Sequence, residues 1–137
     1  MKIVELKPVS KNKIGRVNLN GAHLEAHEYE TILFLNLFGF DIDVILPTNT
    51  PKSHNPDLQI NGAFWESKSP EGESKYNIQR KIHEASHQAD RLILDLRRSK
   101  ISSEKAYAEA IKRFGDSKRI KHMLLVTKDK RLLDIRK

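Results

Sequence analysis

Apolar residues recur along this chain with two periods, and each change of period marks an element. From Ala22 to Phe38 the spacing is helical, with Leu24, Glu28, Ile32 and Leu35 on one stripe and Gly39 at the position of a C-terminal cap. Leu33, Phe34 and Leu37 widen the apolar surface around this helix. Asp41 to Leu46 alternates and ends at Pro47, which predicts a strand. The prolines and asparagines between Thr48 and Pro56 predict a surface loop. Asp57 to Lys68 alternates on both sides of Asn61-Gly62 and predicts a hairpin. A second helix is predicted from Lys75 to Ala89, with Ile78, Ile82, Ala85 and Ala89 inward, then a buried strand from Arg91 to Leu96. Ser103 to Phe114 predicts a third helix stopped by Gly115, and Ile120–Val126 and Arg131–Ile135 predict two strands across a Lys128-Asp129-Lys130 turn. Residues 1–21 have weak periodicity and read as an N-terminal arm with a short strand near Ile3 to Leu6, leaving 22–137 as a single domain. This order predicts an α/β (α+β) fold, a mixed sheet flanked by helices.

The hairpin carries the chemistry, because its turn fixes which residues meet. A two-residue Asn-Gly turn pairs Ile60 with Ala63, Gln59 with Phe64 and Leu58 with Trp65, and sets Asp57 opposite Glu66. Opposed Cβ atoms on an antiparallel pair lie roughly 4.5 to 5.5 Å apart, where like charges repel unless something offsets them. A divalent cation would do so. The period-2 rule places Phe64, Glu66 and Lys68 on one strand face and Ala63, Trp65 and Ser67 on the other. Two carboxylates and a lysine on one sheet face fit the minimal protein contribution to a magnesium site, which takes one or two carboxylates plus substrate phosphate.

Composition adds a partner class. The sequence holds 25 Lys and Arg against 18 Asp and Glu, a net charge of +7, which favours a polyanion. It holds no cysteine, so disulfides, thiolate metal sites and cysteine nucleophiles are excluded. No apolar run reaches the ~20 residues of a membrane span, and the N-terminus lacks the apolar segment of a secretory signal, so a soluble chain is expected.

On the first helix three acids, Glu25, Glu28 and Glu30, are candidates to join Asp57 and Glu66, and Glu28 is the best placed, beside Ile32 and Leu35 on the helical wheel. On the second helix Gln79, Arg80 and Gln88 are candidates for phosphate contacts, since such side chains meet phosphate oxygens without reading sequence. His83 and His87 stand at i, i+4 with no third ligand evident.

Taken together, Pro56-Asp57, Glu66-Ser67-Lys68 and the flanking helices resemble the PD-(D/E)xK nuclease superfamily over about residues 22 to 97. More narrowly, Trp65-Glu66-Ser67-Lys68-Ser69-Pro70 and the block from Gln88-Ala89-Asp90 to Arg97 resemble the C-terminal tRNA nuclease domain of contact-dependent growth inhibition toxins. The resemblance implies a restriction-endonuclease-like αβββαβ core and a nuclease that uses Mg²⁺ or Mn²⁺. Asp57, Glu66 and Glu28 would hold the metal, Lys68 would serve catalysis, and an acidic residue on the first helix is a feature of the superfamily. It also implies tRNA as substrate, action in the cytoplasm of a target cell after delivery, and a cognate immunity protein. A DNA endonuclease of the same chemistry and a binding module that has lost catalysis are the alternatives.

Overall fold

The structure, a computed structural model, describes residues 1–46 and 57–137. Pro47, the loop expected over 48–56 and Pro56 of the Pro-Asp motif lie outside the described residues. In chain order the elements are β1 (Lys2–Leu6), β2 (Val17–Asn18), α1 (Ala26–Asn36), β3 (Ile42–Val44), β4 (Leu58–Ile60), β5 (Ala63–Lys68), α2 (Tyr76–Ser86), β6 (Arg91–Asp95), α3 (Ser103–Asp116), β7 (His122–Val126) and β8 (Leu132–Arg136). A short 3₁₀ turn covers Lys11–Lys13. From α1 to β6 the order is the expected αβββαβ.

Among the described residues the strands form one mixed eight-stranded sheet in the order β1-β8-β7-β6-β5-β4-β3-β2. The Asn-Gly hairpin forms in the expected register, Ile60 with Ala63, Gln59 with Phe64 and Leu58 with Trp65. Both turn residues take positive φ, Asn61 at 50° and Gly62 at 83°, which is the conformation that lets a two-residue turn follow the twist of its strands. β5 then continues into the centre of the sheet, parallel to β6, with Glu66 beside Leu92 and Lys68 beside Leu94.

The sheet divides the core into two layers. On one face α1 sets Ile32 and Leu35 against Leu58, Trp65, Ile93, Leu124 and Val126. On the other, α2 and α3 bury Ile78, Ile82, Ala85, Ala106, Ala110 and Phe114 against Leu92, Leu94, Met123 and Leu125. Glu66 therefore belongs to a strand that is covered on both sides, and it is only 3% exposed.

Several boundaries differ from the sequence reading. Helix α1 begins at Ala26 and not at Ala22, because Glu25 acts as its N-cap in a capping box with Glu28. Gly115 does not stop α3, which runs through it to Asp116, and Ser117 closes the helix by donating its amide to Arg113 O and Phe114 O. α2 ends at Ser86, with Ala89 buried beyond it. Residues 1–21 supply both sheet edges: β1 pairs antiparallel with β8, and β2 pairs parallel with β3.

One buried polar cluster joins α1 to the sheet. Thr31 Oγ1 donates to Asp95 Oδ2 at 2.6 Å, 64 residues away in sequence, and the Arg97 guanidinium donates to both Asp95 oxygens at 2.7 to 3.2 Å. The same guanidinium lies 4.7 Å from the Phe34 ring centroid, so it ties a second α1 residue to the strand. Thr31 is one turn from Glu28, and this cluster fixes the seat of the helix end that carries Glu28. Asp95→Ala removes the carboxylate that holds Arg97 and leaves the Thr31 hydroxyl only the His27 carbonyl at 3.1 Å, and is expected to lower the free energy of unfolding by about 3 kcal/mol, against about 1 kcal/mol for Thr31→Val. Equal losses in urea unfolding would refute Asp95 as the hub of the cluster.

Candidate metal and phosphate site

The carboxyl ends of parallel strands are where open sheets place ligands, and here β5 and β6 end beside the N-terminus of α1 and the first turns of α2. Between them lies a cleft of about 460 Å³. Its lining includes the acids Asp57, Glu66, Glu25 and Glu28 and the cations Lys68, Arg80, Lys81 and Arg98.

Asp57 sits where β4 begins. Its carbonyl accepts from Ile45 N at 3.0 Å, carrying the pairing with β3 one step further, and its Oδ2 accepts from Ser67 N at 3.1 Å. That second bond crosses the hairpin and holds the carboxylate beside β5. Glu66 Oε1 lies 3.4 Å from Lys68 Nζ, while its Oε2 is buried with no hydrogen-bond partner among the described residues. Burial first, and the adjacent Asp57 charge second, push the Glu66 carboxyl up to about 8, with Lys68 opposing. Burial also raises Asp57, helped by the charge of Glu28 and opposed by the Ser67 amide, by a proton shared with Glu66 when that carboxyl is neutral, and by Lys68.

Two ionised carboxylates have no proton with which to bond one another. A shared proton or a bound cation relieves the clash, and oxygen donors of this kind suit Mg²⁺ or Mn²⁺. The buried, unpartnered Glu66 Oε2 is therefore a donor atom that fits such an ion. Among the described residues no set of three acidic or histidine side chains gathers around one point.

The remaining expected residues fall in different places. Glu28 lines the cleft, and its Oε1 accepts from Glu25 N at 2.9 Å as part of the helix cap. Lys68 is held between Glu66 and Glu84, whose Oε2 is 3.6 Å from Nζ. Partial burial opposes ionisation of Glu84, but Lys81 and Lys68 outweigh it and keep its carboxyl below the usual range. Arg80 lines the cleft, whereas Gln79 lines a separate groove with His83 and Arg113, between α2 and the end of α3. Gln88 lies in the turn after α2 and is not part of the cleft lining. His83 and His87 stack edge to face on exposed α2, Nε2 to Nε2 at 3.3 Å, away from the carboxylates.

Sequence reasoning singled out none of Glu84, Thr31, Lys81 and Arg98. Glu84 had a signal: it stands four residues after Arg80 and three after Lys81, the spacing of helical ion pairs.

A raised Glu66 carboxyl has a linkage consequence for the metal-free protein. Its contribution to stability is complete below its ordinary value near 4.5 and is lost as pH rises through about 8. Without divalent cations the unaltered protein is expected to lose melting temperature between pH 5 and pH 9 relative to Glu66→Gln. Parallel melting curves for the two proteins across that range would contradict the buried pair.

Residues 53–132 match the family described as the contact-dependent growth inhibition CdiA C-terminal domain. The fold also resembles a solved chain from a CdiA-CT/CdiI toxin and immunity complex of Burkholderia pseudomallei, with a TM-score of 0.64 and 19% identity, covering 90% of this chain and 100% of that one. No curated protein matches the sequence significantly. Among the described residues no helix is long and apolar enough to cross a membrane. With more than half of its length matched, the chain belongs to the CdiA C-terminal domain family of contact-dependent growth inhibition toxins.

Proposed function

We propose that this domain is a metal-dependent nuclease of the PD-(D/E)xK type that hydrolyses phosphodiester bonds, with tRNA as the favoured substrate. The observation that carries the reading is the buried and unpartnered Glu66 Oε2 beside Asp57, in a cleft that Arg80, Lys81 and Arg98 also line. A bound Mg²⁺ or Mn²⁺ would polarise the phosphate and lower the pKa of an attacking water. Asp57 and Glu66 would hold it directly, and Glu28 would add a third negative charge to its surroundings. Lys68 approaches Glu66 as a cationic donor and would stabilise charge that develops on the phosphate oxygens. Arg80, Lys81 and Arg98 would hold the strand through its backbone, independent of sequence.

The reaction adds water across one P–O bond: the water oxygen bonds phosphorus, the bridging oxygen leaves, and it takes up a proton. Family membership supports a toxic effector role, in which the domain acts in the cytoplasm of a target cell after delivery. Likeness to a toxin from a toxin and immunity complex supports a cognate immunity protein as partner.

Incubation of the purified domain with bulk tRNA and with duplex DNA in magnesium should yield tRNA fragments that EDTA abolishes. Cleavage of DNA but not tRNA would overturn the tRNA reading. Glu66→Gln and Lys68→Ala are each expected to lower the cleavage rate by about 100-fold or more while tRNA binding in a gel shift persists. Unchanged cleavage in both variants would refute the site.

A further inference from the structure

A second cavity adjoins the acidic cleft through a common wall. Its volume is about 340 Å³, at the lower end of the roughly 300 to 1,000 Å³ typical of small-molecule sites. Ala22, Leu24, Ile32, Val44, Leu46 and Leu58 give it apolar walls, and His23 is exposed at its edge. Glu28, Asp57 and Ser67 line both this cavity and the cleft.

We infer that this cavity receives one unpaired nucleobase of the substrate strand, adjacent to the phosphate that is cut. The inference rests on the nuclease reading above and specifies which part of a nucleic acid the site accepts. Three features identify the occupant. The recess and the cleft share Glu28, Asp57 and Ser67, so a group covalently attached to a phosphate held in the cleft is in position to enter the recess. The apolar lining suits the face of a base and repels a second phosphate. The exposed His23 ring offers a stacking surface, and Ser67 places a hydroxyl residue at the border, where a base edge or a sugar hydroxyl passes. A base can enter only after leaving its stack, which costs least in a loop or single strand, so the expected target is an unpaired segment rather than a duplex.

The test uses the whole domain and whichever nucleic acid it cuts. The cut is first mapped on bulk tRNA, and a synthetic stem-loop carrying that linkage is then made with each flanking nucleotide replaced in turn by an abasic one. One abasic position next to the cut is expected to slow cleavage by about tenfold, the scale of losing one stacked base. Ala22→Trp, which fills the recess, is expected to slow the intact stem-loop by a similar factor and to cancel the sensitivity to that abasic position. Leu24→Ala, which enlarges the recess, reports the same coupling should the tryptophan variant fail to fold. A folded Ala22→Trp that cuts at the unaltered rate with the same abasic profile would overturn the base pocket alone. Absence of cleavage of any nucleic acid by the unaltered protein would overturn the nuclease reading itself. In a Glu66→Gln background the labelled stem-loop should bind more weakly when Ala22→Trp is added, measured by fluorescence anisotropy without turnover, and equal binding would count against the pocket.

Discussion

Two carboxyl groups held against each other under a helix are the constraint around which this structure is organised. Asp57 is held by the Ser67 amide, and Glu66 is buried in the centre of the sheet. In a small domain with a few kcal/mol of net stability, a pair of adjacent carboxyl groups, one of them buried with an oxygen that no hydrogen bond satisfies, is a local conflict that folding alone does not reward. Such conflicts collect at functional sites, where a ligand resolves what the fold leaves unresolved. Lys68 offsets part of the charge but reaches only one Glu66 oxygen, and it also answers to Glu84.

The remainder of the fold holds this pair in place and gives it a substrate-facing surface. β5 is paired on both sides, which makes the Glu66 backbone rigid. α1 is pinned to β6 through Thr31, Asp95 and Arg97, and its N-terminus carries Glu28 to the cleft. α2 brings Arg80 and Lys81 to the cleft, and Arg98 after β6, which pairs with Glu71 at 2.6 Å, also lines it. Acidic and basic side chains in one opening suit a cation together with an anion.

Much of the site was legible in the sequence because it is local. Asn61-Gly62 sets the register, and the register alone puts Asp57 near Glu66 and Lys68 on the same face as Glu66. The helix limits were less legible. Glu25 is an uncommon N-cap beside Ser, Thr, Asp or Asn, so the start of α1 was read four residues early. Gly115 looked like a stop, yet packing of Phe114 and the Ser117 cap carry α3 past it. What escaped entirely was non-local: Thr31 meets Asp95 across 64 residues, and Lys2–Leu6 finds Leu132–Arg136 at the far end of the chain. No period in the sequence encodes such meetings. Gln79 and Arg80 show the same limit, since adjacent helix positions point about 100° apart and only one of them reaches the cleft.

The central claim is that Asp57 and Glu66 form a cation site, and Mn²⁺ tests it without any nucleic acid present. Titration of the domain with Mn²⁺ at pH 8.5, followed by electron paramagnetic resonance of the free ion, should show saturable binding that Glu66→Gln abolishes and Glu73→Gln leaves intact. Binding of equal strength in the Glu66→Gln variant, or none in the unaltered protein, would contradict the account.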